Sequence, residues 1–291
     1  MQIIKTAVLA ASVAFAGQGY SLDFTHLIGK AFENHASRAS KPDKAGWGQS
    51  QAIPAMPAAT GNFGACRENF ANGEPPVVPQ AAQRKARALC FDGFAVLHSG
   101  TSKTPIYSAE VLNRERINAA KGQKRTNLFF SDARLPSAER ATLEDYRGSF
   151  MDRGHNTPAG DTASPESMAQ SFSLANVMPQ SPQNNQKAWS GIEQSTRKYV
   201  MRAKGNVYVV TGSVSMPGVC TLLPATVDCT IGNGVVVPSH IFKLIFDPVT
   251  NRAWAHWIEN SDSARVSAPI SYDELVRRTG IEFLPGTHPQ S

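Results

Sequence analysis

The sequence predicts an α+β fold: a central antiparallel sheet flanked by helices. Three observations carry this. β-Prone runs recur at residues 91–98 (FDGFAVLH), 105–108, 207–212 (VYVVTG), 234–238, 241–246 and 253–258, rich in the β-branched and aromatic side chains that suit a pleated, half-buried surface. The first two lie on either side of a turn at Ser99-Gly100, as neighbouring antiparallel strands do. One long helical pattern, residues 185–203, puts Trp189, Ile192, Thr196 and Tyr199 on a single face.

From the start of the chain, residues 1–21 read as an export signal. Lys5 supplies a short positive region, residues 6–17 (TAVLAASVAFAG) are apolar and small, and Ala14-Phe15-Ala16 matches a small-x-small cleavage pattern, with Ser21 as a second cut. The run is too short to span a bilayer comfortably. The mature protein is therefore expected to be soluble, without a membrane partner, and periplasmic or secreted. Residues 22–87 read as an N-terminal extension, partly extended. It holds a helix at 24–39, a Pro-, Gly- and Ala-rich connection at 41–64, a turn-rich stretch at 67–80, and a short basic helix at 81–88.

Residues 88–291 form the functional domain. Residues 111–120 are helical or extended. Residues 138–146 form a short helix with Ser137 as its cap and Glu139 in its first turn, and residues 273–278 lie in a helix capped by Ser271. The chain has 291 residues, 41% hydrophobic and 18% charged, which fits a globular protein with a real core and excludes a disordered one. A net charge of +6 favours a polyanionic partner. Four cysteines in an exported chain imply two disulfides, with three pairings open. Cys66–Cys90 and Cys220–Cys229 are favoured because both close local loops. No CxxC pair occurs, so a structural zinc site is not expected.

The chemistry concentrates in Met151-Asp152-Arg153-Gly154-His155-Asn156-Thr157-Pro158-Ala159. It sets an aspartate, an arginine and a histidine beside a glycine that lets the backbone turn tightly. Phosphodiester hydrolysis needs an activated water, charge neutralisation at the phosphate and a stabilised leaving oxygen. His155 suits the general base, because an unperturbed imidazole titrates near neutrality; the other six histidines read as structural. Asn185 offers an amide oxygen to magnesium, which takes few protein oxygens, and a helix cap is the alternative. Glu193 and Arg197 stand eight and twelve residues further on. At a drift of about 40° per four residues they share one broad helical face with Asn185. Glu193 can hold water beside the cation, and Arg197 offers a planar fork to phosphate. An ordinary i,i+4 surface pair is the other reading of these two.

Asp152-Arg153-Gly154-His155 resembles the DRGH motif of the DNA/RNA non-specific endonucleases, the ββα-metal nucleases. Asn176-Val177-Met178-Pro179-Gln180, then Asn185-Gln186, Trp189 and Glu193, is similar to that family's second signature, and the segment from Arg125 to Asp132 (RTNLFFSD) to its upstream arginine segment. Residues 207–212 and 237–243 resemble its later core strands, so the resemblance covers roughly residues 88–262. It implies a ββα-metal finger: a strand ending near His155, a loop, and the helix carrying Asn185 to Arg197. His155 would be the general base, Asn185 the direct metal ligand, and Glu193 the residue orienting water at the cation. Arg125, Arg153 and Arg197 would bind or neutralise phosphate, and Asn176 and Asp152 would serve substrate binding, Asn176 by shaping the site. The cofactor implied is magnesium, with manganese substituting, and the products carry 5′-phosphates. The expectation is an exported, magnesium-dependent endonuclease acting on DNA and RNA without strong sequence choice. The alternatives are a metal-dependent phosphodiesterase of small substrates and a catalytically inactive nucleic-acid-binding protein. A scavenger and a delivered toxin both fit; the toxin implies a neutralising inhibitor or immunity protein. The oligomeric state stays open.

Overall fold

The computed structural model describes residues 62–220 and 229–290. The expected export signal, the helix at 24–39 and most of the connection after it lie outside the described residues. Seven strands form one sheet in the order β1-β2-β3-β6-β9-β10-β11, every neighbouring pair antiparallel. They are β1 (Ala86–Phe91), β2 (Phe94–Ser99), β3 (Thr104–Leu112), β6 (Val207–Val214), β9 (His240–Asp247), β10 (Arg252–Glu259) and β11 (Ile270–Ser271). Two small two-stranded sheets are separate from it: β4 (Asp152–His155) with β5 (Val177–Gln180), and β7 (Thr230–Ile231) with β8 (Val235–Val236). The helices are α1 (Arg114–Ala120), α2 (Leu143–Tyr146), α3 (Pro165–Ser171), α4 (Ser190–Val200) and α5 (Tyr272–Thr279).

Alternation along the strands gives the sheet two apolar faces. Tyr107, Val210, Phe242 and Leu244 pack with Phe63, Phe70, Leu275 and Phe283, which come from the N-terminal segment and the C-terminal region around α5. On the opposite face Leu112, Val207, Val209 and Ile245 pack with Ile117 of α1 and Val200 of α4. That second face also carries a buried polar row. Glu110, Thr211 and Lys243 are each about 1% exposed. Thr211 and Lys243 sit opposite one another in the β6–β9 register, and the Lys243 ammonium donates to Thr211 Oγ1 at 2.5 Å.

Several local expectations change. The run at 91–98 is not one strand: it is broken by Asp92-Gly93, the two-residue loop of the β1–β2 hairpin, with Gly93 at φ 80°. Asp-Gly between β-prone runs is the chemistry such a loop requires. The basic helix expected at 81–88 is a turn leading into β1, because its alanines pair with β2 instead. Residues 111–120 are both strand and helix; β3 ends at Leu112, and the Asn113 side chain caps α1 by accepting from Arg116 N. The helix expected at 138–146 is split by extended Arg140 into a 3-10 turn, Ser137–Glu139, and α2, which a Thr142–Asp145 capping box starts in place of Ser137. Ser271 does cap α5, accepting from Glu274 N at 3.1 Å, and Gly280 closes it at φ 69°.

The boundary expected after residue 87 falls inside β1, and residues from Phe63 onward already belong to the core. Cys66–Cys90 fastens that segment to β1, and Cys220–Cys229 closes the second expected bridge. No helix among the described residues is long and apolar enough to cross a membrane.

Candidate active site

β5, paired with β4, leads through Ser181 into helical residues 182–183 and then a π-helical segment, Asn184–Trp189, that runs on into α4. The helix expected from residue 185 therefore starts three residues earlier and widens from Asn184 into a π-helical turn, a feature often found where a functional side chain must be aimed. Asn184 ties this turn down: its Oδ1 accepts from Gln180 Nε2 at 2.8 Å and its Nδ2 donates to the Glu259 carbonyl at 2.6 Å. Gly154 lies in β4 opposite Met178. A Cβ there would stand 2.1 Å from Gln180 Oε1 and 2.7 Å from Gln180 Cβ. This position needs glycine because Gln180 approaches closely, not because the backbone turns.

His155 ends β4 and is 8% exposed. Its ring meets Phe172 edge-on at 4.9 Å and Phe129 at 5.3 Å. Burial lowers its pKa to about 3, and the Arg125 and Arg153 charges push the same way, so the imidazole is neutral at neutral pH. Among the described residues its buried Nε2 has no hydrogen-bond partner. The same two phenyl rings seat the arginines: the Arg125 guanidinium lies 5.0 Å from the Phe172 centroid and that of Arg153 4.4 Å from Phe129.

Asp152 opens β4 and accepts from Asn185 Nδ2 at 2.8 Å and Gln186 Nε2 at 2.9 Å. Burial raises the Glu193 carboxyl to about 7, partly offset by the Lys243 charge behind it. Arg197 donates to Asp161 Oδ1 at 2.8 Å, and Asp161 is 2% exposed. That pairing, with the Glu193 charge, raises the guanidinium pKa despite burial.

Arg125, Arg153, His155, Asn185, Glu193 and Arg197 together line one polar cleft of about 290 Å³. Six of the eight residues singled out from the sequence thus meet. The other two take different places. Asn176 is fully buried; its amide accepts from Thr157 N and donates to the carbonyls of Thr157 and Ser171, each at 3.0 Å. It shapes the turn after His155 and does not line the cleft. Asp152 does not line the cleft either; its carboxylate is engaged by Asn185 and Gln186.

Phe172, Asp161 and Lys243 also stand at this site, and the sequence carries no local signal for them. No spacing signals them; only folding brings them beside His155, Arg197 and Glu193. Among the other histidines, buried His98 bonds the Glu139 carbonyl through Nε2 at 2.9 Å and His240 stacks on Trp257 at 5.1 Å, as the structural reading expects.

The donor set fits a hard divalent cation that keeps most of its water. Among the described residues nothing bonds Asn185 Oδ1, since Nδ2 is the atom committed to Asp152, and the Glu193 carboxyl, raised to about 7 by burial, gains from a cation beside it. Among the described residues no three His, Cys, Asp or Glu side chains gather as a protein-only metal cage would require.

Residues 77–290 match the family model described as DNA/RNA non-specific endonuclease. Nuclease 1, mitochondrial, of Schizosaccharomyces pombe is 31% identical over 209 residues, 66% of this chain and 64% of the relative. Human Endonuclease G, mitochondrial, is 34% identical over 173 residues, 58% of this chain and 55% of the relative. The chain thus spans about six-tenths of the length of these relatives. A crystal structure of an EndoG/EndoGI complex, concerned with EndoG inhibition, superposes with a TM-score of 0.55 at 23% identity, covering 67% of this chain and 84% of that one; it supports the α+β fold.

Proposed function

This chain belongs to the DNA/RNA non-specific endonuclease family, and from that premise we propose that it hydrolyses phosphodiester bonds within DNA and RNA with the help of magnesium. The observation that carries the proposal is the meeting of a neutral, unpartnered imidazole, three arginines and the Asn185–Glu193 oxygen pair in one cleft. Arg125, Arg153 and Arg197 draw the scissile phosphate in and offset its charge. His155 Nε2 takes a proton from a water whose oxygen bonds to phosphorus. The phosphorus–O3′ bond breaks, the 3′ oxygen is protonated from solvent, and the phosphate stays on the 5′ side. Asn185 Oδ1 and Glu193 would hold magnesium, which when bound would supply charge neutralisation at the phosphate and leaving oxygen. Contact with backbone rather than base edges supports indifference to sequence.

Residues 1–21 support an exported enzyme, periplasmic or secreted. An inhibitor protein as partner is supported by the three arginines that line the cleft, which suit an acidic surface. The test is digestion of plasmid DNA and of RNA by purified protein with magnesium, and again with chelator, followed by end-group analysis. The proposal requires cleavage with magnesium only and 5′-phosphate ends. Intact substrate in both conditions would overturn it.

A further inference from the structure

Beside the cleft lies a second hollow of about 400 Å³, formed between α1 and α4. Gly160 and Arg197 line both spaces, so the two adjoin through a shared wall. Helix periodicity explains its shape. Ile117 and Lys121 are one turn apart along α1 and its end, while Arg197, Lys198, Met201 and Arg202 form a stripe along α4 and its end. The floor is apolar, Ile117 and Met201, and the rim is cationic, with Lys121, Lys198 and Arg202 exposed. No carboxylate among the described residues lines it. Among the described residues none of these three cations joins an ion pair; Lys121 bonds only the Asn118 amide oxygen. A mere solvated face would interleave both signs, as α5 does with Glu274, Arg277 and Arg278.

We propose that this groove is an extended subsite that holds the polynucleotide backbone where it leaves the cleft, one or more nucleotides from the scissile phosphate. The inference rests on the phosphodiesterase reading above and adds to it the substrate length over which binding is felt. The apolar floor suits a sugar or base face, and the cations suit successive phosphates. Arg197, held by Asp161 at the shared wall, passes the chain from one space to the other. Lys121, Lys198 and Arg202 would act on binding of long substrates and leave the reacting atoms alone.

The experiment compares wild type with K121E/K198E/R202E and with the neutral K121Q/K198Q/R202Q, on a long DNA duplex and on bis(4-nitrophenyl) phosphate. Expected is a KM on DNA raised about tenfold or more in the charge-reversed variant, with the slope of log KM against log salt reduced by roughly 0.7–0.9 per lost contact. The neutral variant should fall between. Turnover of the small diester should stay within about twofold, since no side chain that meets it has changed. Unchanged KM and salt slope on DNA would overturn the subsite, as would equal losses on both substrates. Wild type that cuts neither substrate would overturn the proposed function, and the subsite with it.

Discussion

The Asp152 carboxylate orients the Asn185 amide: Nδ2 donates to Oδ2 at 2.8 Å. A carboxylate is acceptor only, so it draws the amide nitrogen to itself and leaves Oδ1 for the cleft. Asp152→Ala should therefore raise the magnesium needed for half-maximal cleavage about 10–100-fold, the usual cost of losing the partner that orients a ligand. Excess magnesium should restore much of the rate. An unchanged magnesium titration would show that Asn185 needs no such hold.

Glu193, raised to about 7 by burial, makes cation affinity depend on pH. Without cation its carboxyl is neutral in the fold up to about pH 7 but ionised in the unfolded chain above its ordinary value, so stability is full at low pH and falls as pH rises through 7. Magnesium favours the ionised form and offsets that loss. The rise in Tm on adding magnesium should be larger at pH 8 than at pH 5.5, and Glu193→Gln should remove most of the difference. Lys243→Met, which deletes the charge that lowers this carboxyl, should increase the magnesium required at pH 7.

His155 titrates in the opposite sense. With a folded value of about 3 against an ordinary 6.5, it favours the fold fully above pH 6.5 and loses that contribution as pH falls toward 3. Urea midpoints measured at pH 7.5 and 5.0 should drop more for wild type than for His155→Asn. Equal drops would place the imidazole in a wetter setting than the Phe129–Phe172 clamp implies.

Gly154→Ala tests the close approach of Gln180. The added methyl has no room on either side of the amide oxygen and Cβ, so β4 and β5 must part. The expected cost is about 1–3 kcal/mol, typical of overpacking, visible as a Tm lowered by several degrees. A variant as stable as wild type would mean that the Gln180 side chain swings away freely.

Much of this was legible in the sequence because it is local. Strand-prone runs such as residues 207–212 and 241–246 became β6 and β9, and Asn185, Glu193 and Arg197 met His155 as their spacing implied. The misreadings have physical causes. Alanine-rich residues 81–88 favour helix in isolation, but Ala86 and Ala88 face β2 across a ladder, and tertiary pairing overrides propensity. Asp92-Gly93 lies inside an otherwise apolar run, which masks its turn signal. Asn176 looked like a site residue because its type and position fit, yet its amide is spent on Thr157 and Ser171. Asp161 and Lys243 are single charges far from the motif in sequence, and only the fold shows that they are buried behind Arg197 and Glu193.

The central claim is that His155 is the base of a magnesium-assisted phosphodiester cleavage. The most direct measurement is the rate of plasmid nicking by His155→Ala in magnesium, alongside its affinity for the same DNA without cation. The account predicts a rate lowered about 10²–10⁴-fold with DNA affinity near that of wild type. Nicking by the variant at the wild-type rate would contradict it.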